Sequence, residues 1–215
     1  MVQLRSRRLV IRELPPAAGG KVARFIRSNW SFHRQWEPER EPEYFTARAH
    51  RRILRVERRA DNVIHFWMLR SSSAPTGPED RVPTDAPATA GLTRPGWRKA
   101  RIVGSISLST IVRGAFQSCF LGYKIGEKYA RKGLMKEALV AVLDYAFTVA
   151  RLHRVEANVI PTNEASLGLV RSLGFRSEGI SRSYLKIAGR WRDHVHMVML
   201  REEWQQQPNR ANATT

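Results

Sequence analysis

One cysteine, Cys119, stands among 215 residues. The chain can therefore form no intramolecular disulfide and no cysteine-built zinc cluster. Cys119 sits inside "SCFLGYKI", an alternating strand-like segment, which suits a buried inert thiol rather than a nucleophile. No apolar run approaches the roughly 18 residues of a membrane helix, and the opening "MVQLRSRRLVIREL" lacks a signal-peptide apolar region. A soluble, reducing, cytoplasmic setting is expected, with no membrane partner. Neither G-x-x-x-x-G-K-[ST] nor G-x-G-x-x-G occurs, which removes the nucleotide-triphosphate loop and the dinucleotide fold. His33, His50, His65, His153 and His196 show no H-x-x-x-H spacing, so no metal is expected. Acid is scarce too: 19 Asp+Glu face 37 Lys+Arg, for a net charge of +18. Such a surface favours polyanions (nucleic acid, ribosomes, phosphorylated cofactors) and repels a polycationic substrate such as a polyamine.

What is present is an ordinary globular balance, 42% apolar and 26% charged, in a length that suits one domain. "RRLVIREL" (7–14) reads as an opening strand ended by Pro15-Pro16, followed by a helix over about 17–29. In "EYFTARAHRRILRVERRAD" one helical stripe holds Phe45, Ala49, Ile53, Val56 and Ala60. The opposite face carries Arg48, Arg51, Arg52, Arg55, Arg58 and Arg59, either a solvated surface or a contact for an RNA-rich partner along helix 43–60.

"VIHFWMLR" (63–70) and "RIVGSISLSTIV" (101–112) read as strands that pair with each other. Between them, 71–98 is too rich in Pro, Ser, Thr, Ala and Gly to offset its ordering entropy, and reads as a flexible insertion. A strand at 118–126, a mostly apolar helix at 133–152 and a strand at 154–160 follow. Next come a helix capped at Thr162-Asn163 and ended by Gly174, and two strands about a turn at Ala188-Gly189, the second running through "REEW". The order is β-α-α-β-β-β-α-β-α-β-β, a mixed α/β sheet in one domain over 3–204, with 205–215 a loose tail.

The informative unit is "YKIGEKYARKGLMKEAL" (123–139), a strand, a basic turn and a helix start. Unpaired N–H groups and the positive end of the dipole make a helix N-terminus a phosphate binder. Here Gly133 permits close approach, while Arg131 and Lys132 add charge. A solvated basic turn and a nucleic-acid patch remain the alternatives from these residues alone.

"LGYKIGEKYARKGLMKEAL" followed by "HRVEANVIPTNEASLGLVRSLGFRSEG" resembles the GNAT superfamily of acetyl-CoA-dependent N-acetyltransferases. "WEPER" (36–40) and "GRWRDHVHMVML" (189–200) are similar to its RimJ-type branch, which acetylates N-terminal amines of ribosomal proteins. The resemblance implies acetyl-CoA as cofactor and places the family's phosphate loop [QR]-x-x-G-x-[GA] on Ala130 through Met135. Gly133 matches; Ala130 and Met135 depart. Main-chain N–H groups from Arg131, Lys132, Gly133, Leu134 and Met135 would hold pyrophosphate, and Tyr123, Lys124 and Ile125 would pair with the pantetheine arm. Asn163 would meet the pantetheine amides, and Ser166 would protonate the departing thiolate. Helix capping explains both residues equally well.

Transfer needs a neutral amine. Some members of the family carry a glutamate where this chain has Asn158; Glu156 lies on the same strand face, about 7 Å away. An α-amine titrates near roughly 7.7–8.0 and lysine near about 10.4, so a water relay through Asn158 could serve an N-terminus better than a lysine. Tyr184 is a second candidate acid, and Glu37 could meet the incoming ammonium beside an apolar wall from Trp36. Asp193 reads as a structural partner of Arg192, Arg190 or His194, with Trp191 packed at the sheet end. The expected partner is a protein with a free N-terminus, ribosomal or ribosome-bound. The rivals are acetylation of a small amine and a non-catalytic RNA-binding protein of the same fold.

Overall fold

The computed structural model describes residues 1–70 and 96–207. Eight strands form one sheet: β1 (Gln3–Arg5), β2 (Val10–Arg12), β3 (Val63–Arg70), β4 (Arg101–Val112), β5 (Ser118–Ile125), β6 (Arg154–Val159), β7 (Arg176–Ile187) and β8 (Arg190–Leu200). They lie in the order β1-β2-β3-β4-β5-β6-β8-β7. Every pairing is antiparallel except β5 with β6. That parallel step is bridged by α4 (Leu134–Thr148), the crossover a parallel pair requires. The remaining helices are α1 (Gly19–Ser28), α2 (Trp30–His33), α3 (Ala47–Glu57), α5 (Glu164–Ser172) and α6 (Arg201–Gln205).

Period-two alternation gives the sheet two unlike faces. Phe66, Met68, Ile106, Leu108, Leu121, Val155, Ala157, Met197 and Met199 face one side, where Leu139, Val142, Leu143, Phe147, Val170 and Trp204 close the larger core. α4 is apolar on most sides because it lies against that face. Across the other face the cross-strand register lines up His65 with Ser107, Ser107 with Gly122, Ser105 with Lys124, and Asn158 with His196. Only part of this polar face is covered. Val22, Phe25, Ile26 and Leu54 of α1 and α3 pack there on Val10, Trp67, Leu69 and Ile102. The rest is left open as a groove floor.

Four expectations need correction. The opening strand is a hairpin, because Arg7 and Arg8 occupy a reversal in which Ser6 N donates to Leu9 O at 3.0 Å. The buried stripe of α3 is turned: His50 and Leu54 face the core, while Val56 is 59% exposed. Here the imidazole of His50 packs edge-on against Tyr44 at 5.0 Å and takes the place expected of an aliphatic residue. The last strand stops at Leu200, where Glu203 Oε2 accepts from Leu200 N at 2.8 Å and starts α6. Trp191 does not pack at the sheet end but is 63% exposed.

The expected turn is found, with Ala188 (φ 46°) and Gly189 (φ 76°) joining β7 to β8. β3 and β4 pair as expected. Of the insertion at 71–98, residues 71–95 lie outside the described residues. Its last three residues, Gly96–Arg98, form a 3-10 turn on which Lys21 Nζ donates to the carbonyls of Trp97 (3.2 Å) and Arg98 (2.7 Å). Of the tail at 205–215, Gln205 ends α6, Gln207 N donates to Trp204 O at 3.2 Å, and 208–215 are outside the described residues. Cys119 is buried, and burial pushes its thiol up to about 12.

Candidate active site

β5 and β6 pair only from Ser118 to Phe120 against Arg154 to Glu156. Beyond that vertex the strands part, and Leu121 to Ile125 make no ladder pairs with β6. A cavity of about 1500 Å³ runs through this gap. One end is lined by Arg131 to Lys136 and Thr162 to Ser166; the other opens over the polar face between Trp36, Glu37, Tyr44, Ser107 and His194. Gly122 belongs to this opening, since a Cβ there would come within 2.8 Å of Ser107 Oγ.

At the helix end, the loop alternates conformations. Ala130 is extended, Arg131 has φ 59°, and Gly133 caps α4 at φ 72° with no side-chain bond to the helix. The first N–H groups of α4 are thereby left without intrahelical acceptors. Arg131 and Lys132 are exposed, whereas Leu134 and Met135 are buried, so the latter two can offer a ligand only main chain. A third cation arrives unforeseen. Glu137 in the first turn of α4 accepts from Ser6 Oγ (2.7 Å), Arg8 N (2.6 Å) and Arg8 Nε (2.7 Å), pinning the β1–β2 reversal to the loop. Arg8 Nη2 then lies 3.4 Å from where a Cβ on Gly133 would be.

In the gap, the sites expected on β5 and α5 meet: Tyr123 Oη and Ser166 Oγ are 2.6 Å apart. Burial pushes the Tyr123 phenol up to about 12, with the Ser166 bond acting the other way. Asn163 caps α5, its side chain accepting from Ser166 N at 3.2 Å. His33 Nε2 donates to Ile125 O at 2.7 Å and ties α2 to the free strand edge; burial lowers its pKa.

Over the polar face, Glu37 accepts from Lys124 Nζ, with Arg40 Nη2 at 3.6 Å, so its charge is already matched. Its carbonyl accepts from Ala188 N at 3.0 Å, holding the 36–40 segment against the β7–β8 turn. Asn158 Oδ1 is buried with no hydrogen-bond partner among the described residues. Glu156 pairs with Arg154 Nε at 2.8 Å and approaches His196 Nδ1 at 3.9 Å. Tyr184 is set apart from the cavity lining and lies edge-on to His194 and His196. Asp193 pairs with none of the arginines or His194; it accepts from Ser183 N across the hairpin at 2.8 Å.

A strand edge freed beside a glycine-capped helix end is an arrangement that can hold an extended thioester by its main chain and its phosphates by N–H groups. Residues 8–176 match the family model of the acetyltransferase (GNAT) domain. The chain belongs to the GNAT acetyltransferase family. A [Ribosomal protein uS5]-alanine N-acetyltransferase of Escherichia coli (strain K12) is 32% identical over 208 residues, covering 94% of this chain and 93% of that protein. A ribosomal-protein-S5-alanine acetyltransferase from Vibrio fischeri shares the fold at a TM-score of 0.77 and 24% identity, over 95% of this chain and 99% of that one. RimJ of Mycobacterium smegmatis in complex with CoA-disulfide does so at 0.76 and 23%, over 96% and 89%.

GNAT acetyltransferases take their acetyl group from acetyl-CoA, and the residues here fit it. The left-handed Gly133 leaves room at the helix end, Arg8 and Arg131 supply cations there, and the β5 edge is open. The helix end of the cavity is therefore bordered by the N-terminal hairpin, for which no local pattern gives a signal. Among the described residues no group of three or more His, Cys, Asp or Glu side chains is placed to hold a metal ion.

Proposed function

We propose that this GNAT acetyltransferase acetylates the α-amine of a protein N-terminus, a ribosomal protein's in the first instance. The observation that carries this reading is the 32% identity to a ribosomal-protein alanine N-acetyltransferase across 94% of the chain. The groove supports it, because the acceptor end is open to the surface between the 36–40 segment and β8. So does charge: Arg48, Arg51, Arg52 and Arg55 of α3, with Arg58 and Arg59 in the turn after it, are all exposed, a surface suited to ribosomal RNA around the substrate.

In this reading Tyr123, Lys124 and Ile125 hold the pantetheine arm through main-chain bonds. Arg8, Arg131 and Lys132 surround the pyrophosphate, which the N–H groups of Gly133, Leu134 and Met135 bind directly. Asn163 orients the arm, Ser166 backed by Tyr123 protonates the thiolate, and Asn158 receives the amine beside Trp36, while Glu37 stays matched by Lys124 and Arg40. Bound acetyl-CoA supplies an activated acyl carbonyl.

Arg8→Ala should weaken acetyl-CoA binding by about tenfold, the loss expected of one hydrogen bond to a charged group. Glu137 keeps its bonds to Ser6 and to the residue-8 amide, so the hairpin stays in place. Calorimetric titration measures the change. Turnover of S-acetylpantetheine, which has no pyrophosphate, should be unaffected; an equal loss there would show a merely structural effect.

A small-amine acceptor has one point in its favour. A spermidine N(1)-acetyltransferase of Escherichia coli (strain K12) is 31% identical over 80 residues, although this is 37% of the chain. The +18 charge works against such a polycation. Thiol release from acetyl-CoA separates the readings. Peptides beginning with alanine should be turned over and spermidine or free amino acids should not; the reverse would sink the N-terminal reading.

A further inference from the structure

We infer that His194 is the general base that takes the proton from the incoming α-amine, with Asn158 Oδ1 positioning that amine. This rests on the N-terminal acceptor reading above. His194 is on β8, and the register Asn158↔His196, Val159↔Val195 sets it opposite the end of β6, where the β5–β6 gap opens. It shares the polar sheet face with Asn158, a diagonal neighbour at about 7–8 Å, a span that one water or the amine itself bridges. Both residues line the cavity that reaches Ser166.

Its hydrogen bonding fixes the tautomer. Nδ1 lies 3.0 Å from Arg192 O, and a carbonyl can only accept, so Nδ1 carries the proton. Nε2 therefore keeps its lone pair, and it has no partner among the described residues. Asn158 Oδ1, buried and unpartnered, is an acceptor for an ammonium N–H.

The other bases nearby are committed. Glu37 is matched by Lys124 and Arg40, Glu57 pairs with His65 at 2.9 Å, Glu156 bonds Arg154, and Asp193 bonds Ser183 N. His196 Nε2 is 2.7 Å from Ser181 Oγ, and His33 donates to Ile125 O. His50 also lines the cavity with a free Nε2, but that atom is buried on α3 beneath Tyr44, away from the strands that flank the gap.

The charges around His194 are His196 and Asp193 on β8, with Lys124 and Glu37 across the cavity; Tyr184 of β7 packs edge-on against its ring. Burial is the largest influence and lowers its pKa below the ordinary 6.5, so the ring is neutral at pH 7. The ammonium gives one proton to Nε2, the neutral amine attacks the acyl carbonyl and the C–S bond breaks. The sulfur takes a proton from Ser166, which recovers one from the new amide nitrogen through solvent, and His194 returns its own to water.

The test is kcat/KM for an alanine-starting peptide from pH 6 to 9.5 in wild type, His194→Gln and His50→Gln. Without a base, only the amine already neutral in solution can react, about one in twenty at pH 6.5 for a pKa near 7.8. His194→Gln should therefore lose about twentyfold or more at pH 6.5 and only two- to threefold at pH 9. Acetyl-CoA affinity should be unchanged. A loss equal at every pH, no loss, or a pH-dependent loss in His50→Gln instead would each overturn the assignment. Should His194→Gln not fold, His194→Asn takes its place. NMR titration of the wild-type histidines needs no acceptor: His194 should titrate below 6.5, and a value above 7 overturns the proposal. Absence of wild-type turnover with the peptide would instead sink the acceptor reading.

Discussion

Gly133→Glu should weaken acetyl-CoA binding at least about 100-fold in a calorimetric titration, with circular dichroism unchanged. Three effects add. At φ 72° an L-residue is strained by about 1–2 kcal/mol, and relieving that strain swings the first N–H groups of α4 off target. The new carboxylate faces two phosphates across main-chain donors that carry only partial charge. It would also capture Arg8, whose Nη2 stands 3.4 Å from the new Cβ, and so take a cation away from the helix end. Gly133→Ala isolates the first effect. Its methyl meets only the flexible tip of Arg8, and it should cost about tenfold or less. The helix itself should survive both changes, because Glu137 still anchors its first turn to Ser6 and Arg8. Wild-type affinity in Gly133→Glu would refute the assignment of Ala130 to Met135 as a phosphate loop.

The strand–turn–helix geometry of that segment was legible because its signals are local. The period changes from two to 3.6 across Gly126 to Leu134, and one glycine stands where the chain needs positive φ. Arg8 was not legible. Its place depends on a carboxylate 129 residues away, and no spacing within "RSRRL" encodes that contact. The turned face of α3 has a similar cause. Helical periodicity identified a stripe, but choosing Val56 over His50 followed side-chain polarity, and packing against Tyr44 reversed the choice.

The acceptor side was the least readable. The absence of an acid at Asn158 was visible in the chain, but its surroundings were not. β8 inserts between β6 and β7 and sets His194 and His196 beside Asn158, a consequence of strand order that no segment carries alone. The serines of "GSISLST" did alternate visibly, yet whether Ser105 and Ser107 face core or groove depends on what covers the sheet.

Ser166→Ala should lower kcat about 10²- to 10³-fold while acetyl-CoA affinity stays within about twofold, if this hydroxyl is the acid for the departing thiolate. The split is expected because the cap on α5 uses the Ser166 backbone N–H, which alanine retains, so Asn163 keeps its geometry. Behind Ser166, Tyr123 Oη lies 2.6 Å away with its pKa raised to about 12. It therefore stays protonated throughout the working pH range and can donate to Ser166, leaving the serine proton free to point into the gap. Tyr123→Phe removes only that second donor and should cost about tenfold in kcat. If Tyr123→Phe proves the more damaging variant, the phenol itself faces the sulfur and the roles exchange. A thiol with a pKa near 8.5 can leave unprotonated above that pH, so the Ser166→Ala deficit should shrink between pH 7 and pH 9.5. A deficit that stays constant would mean the hydroxyl orients the arm rather than supplying a proton.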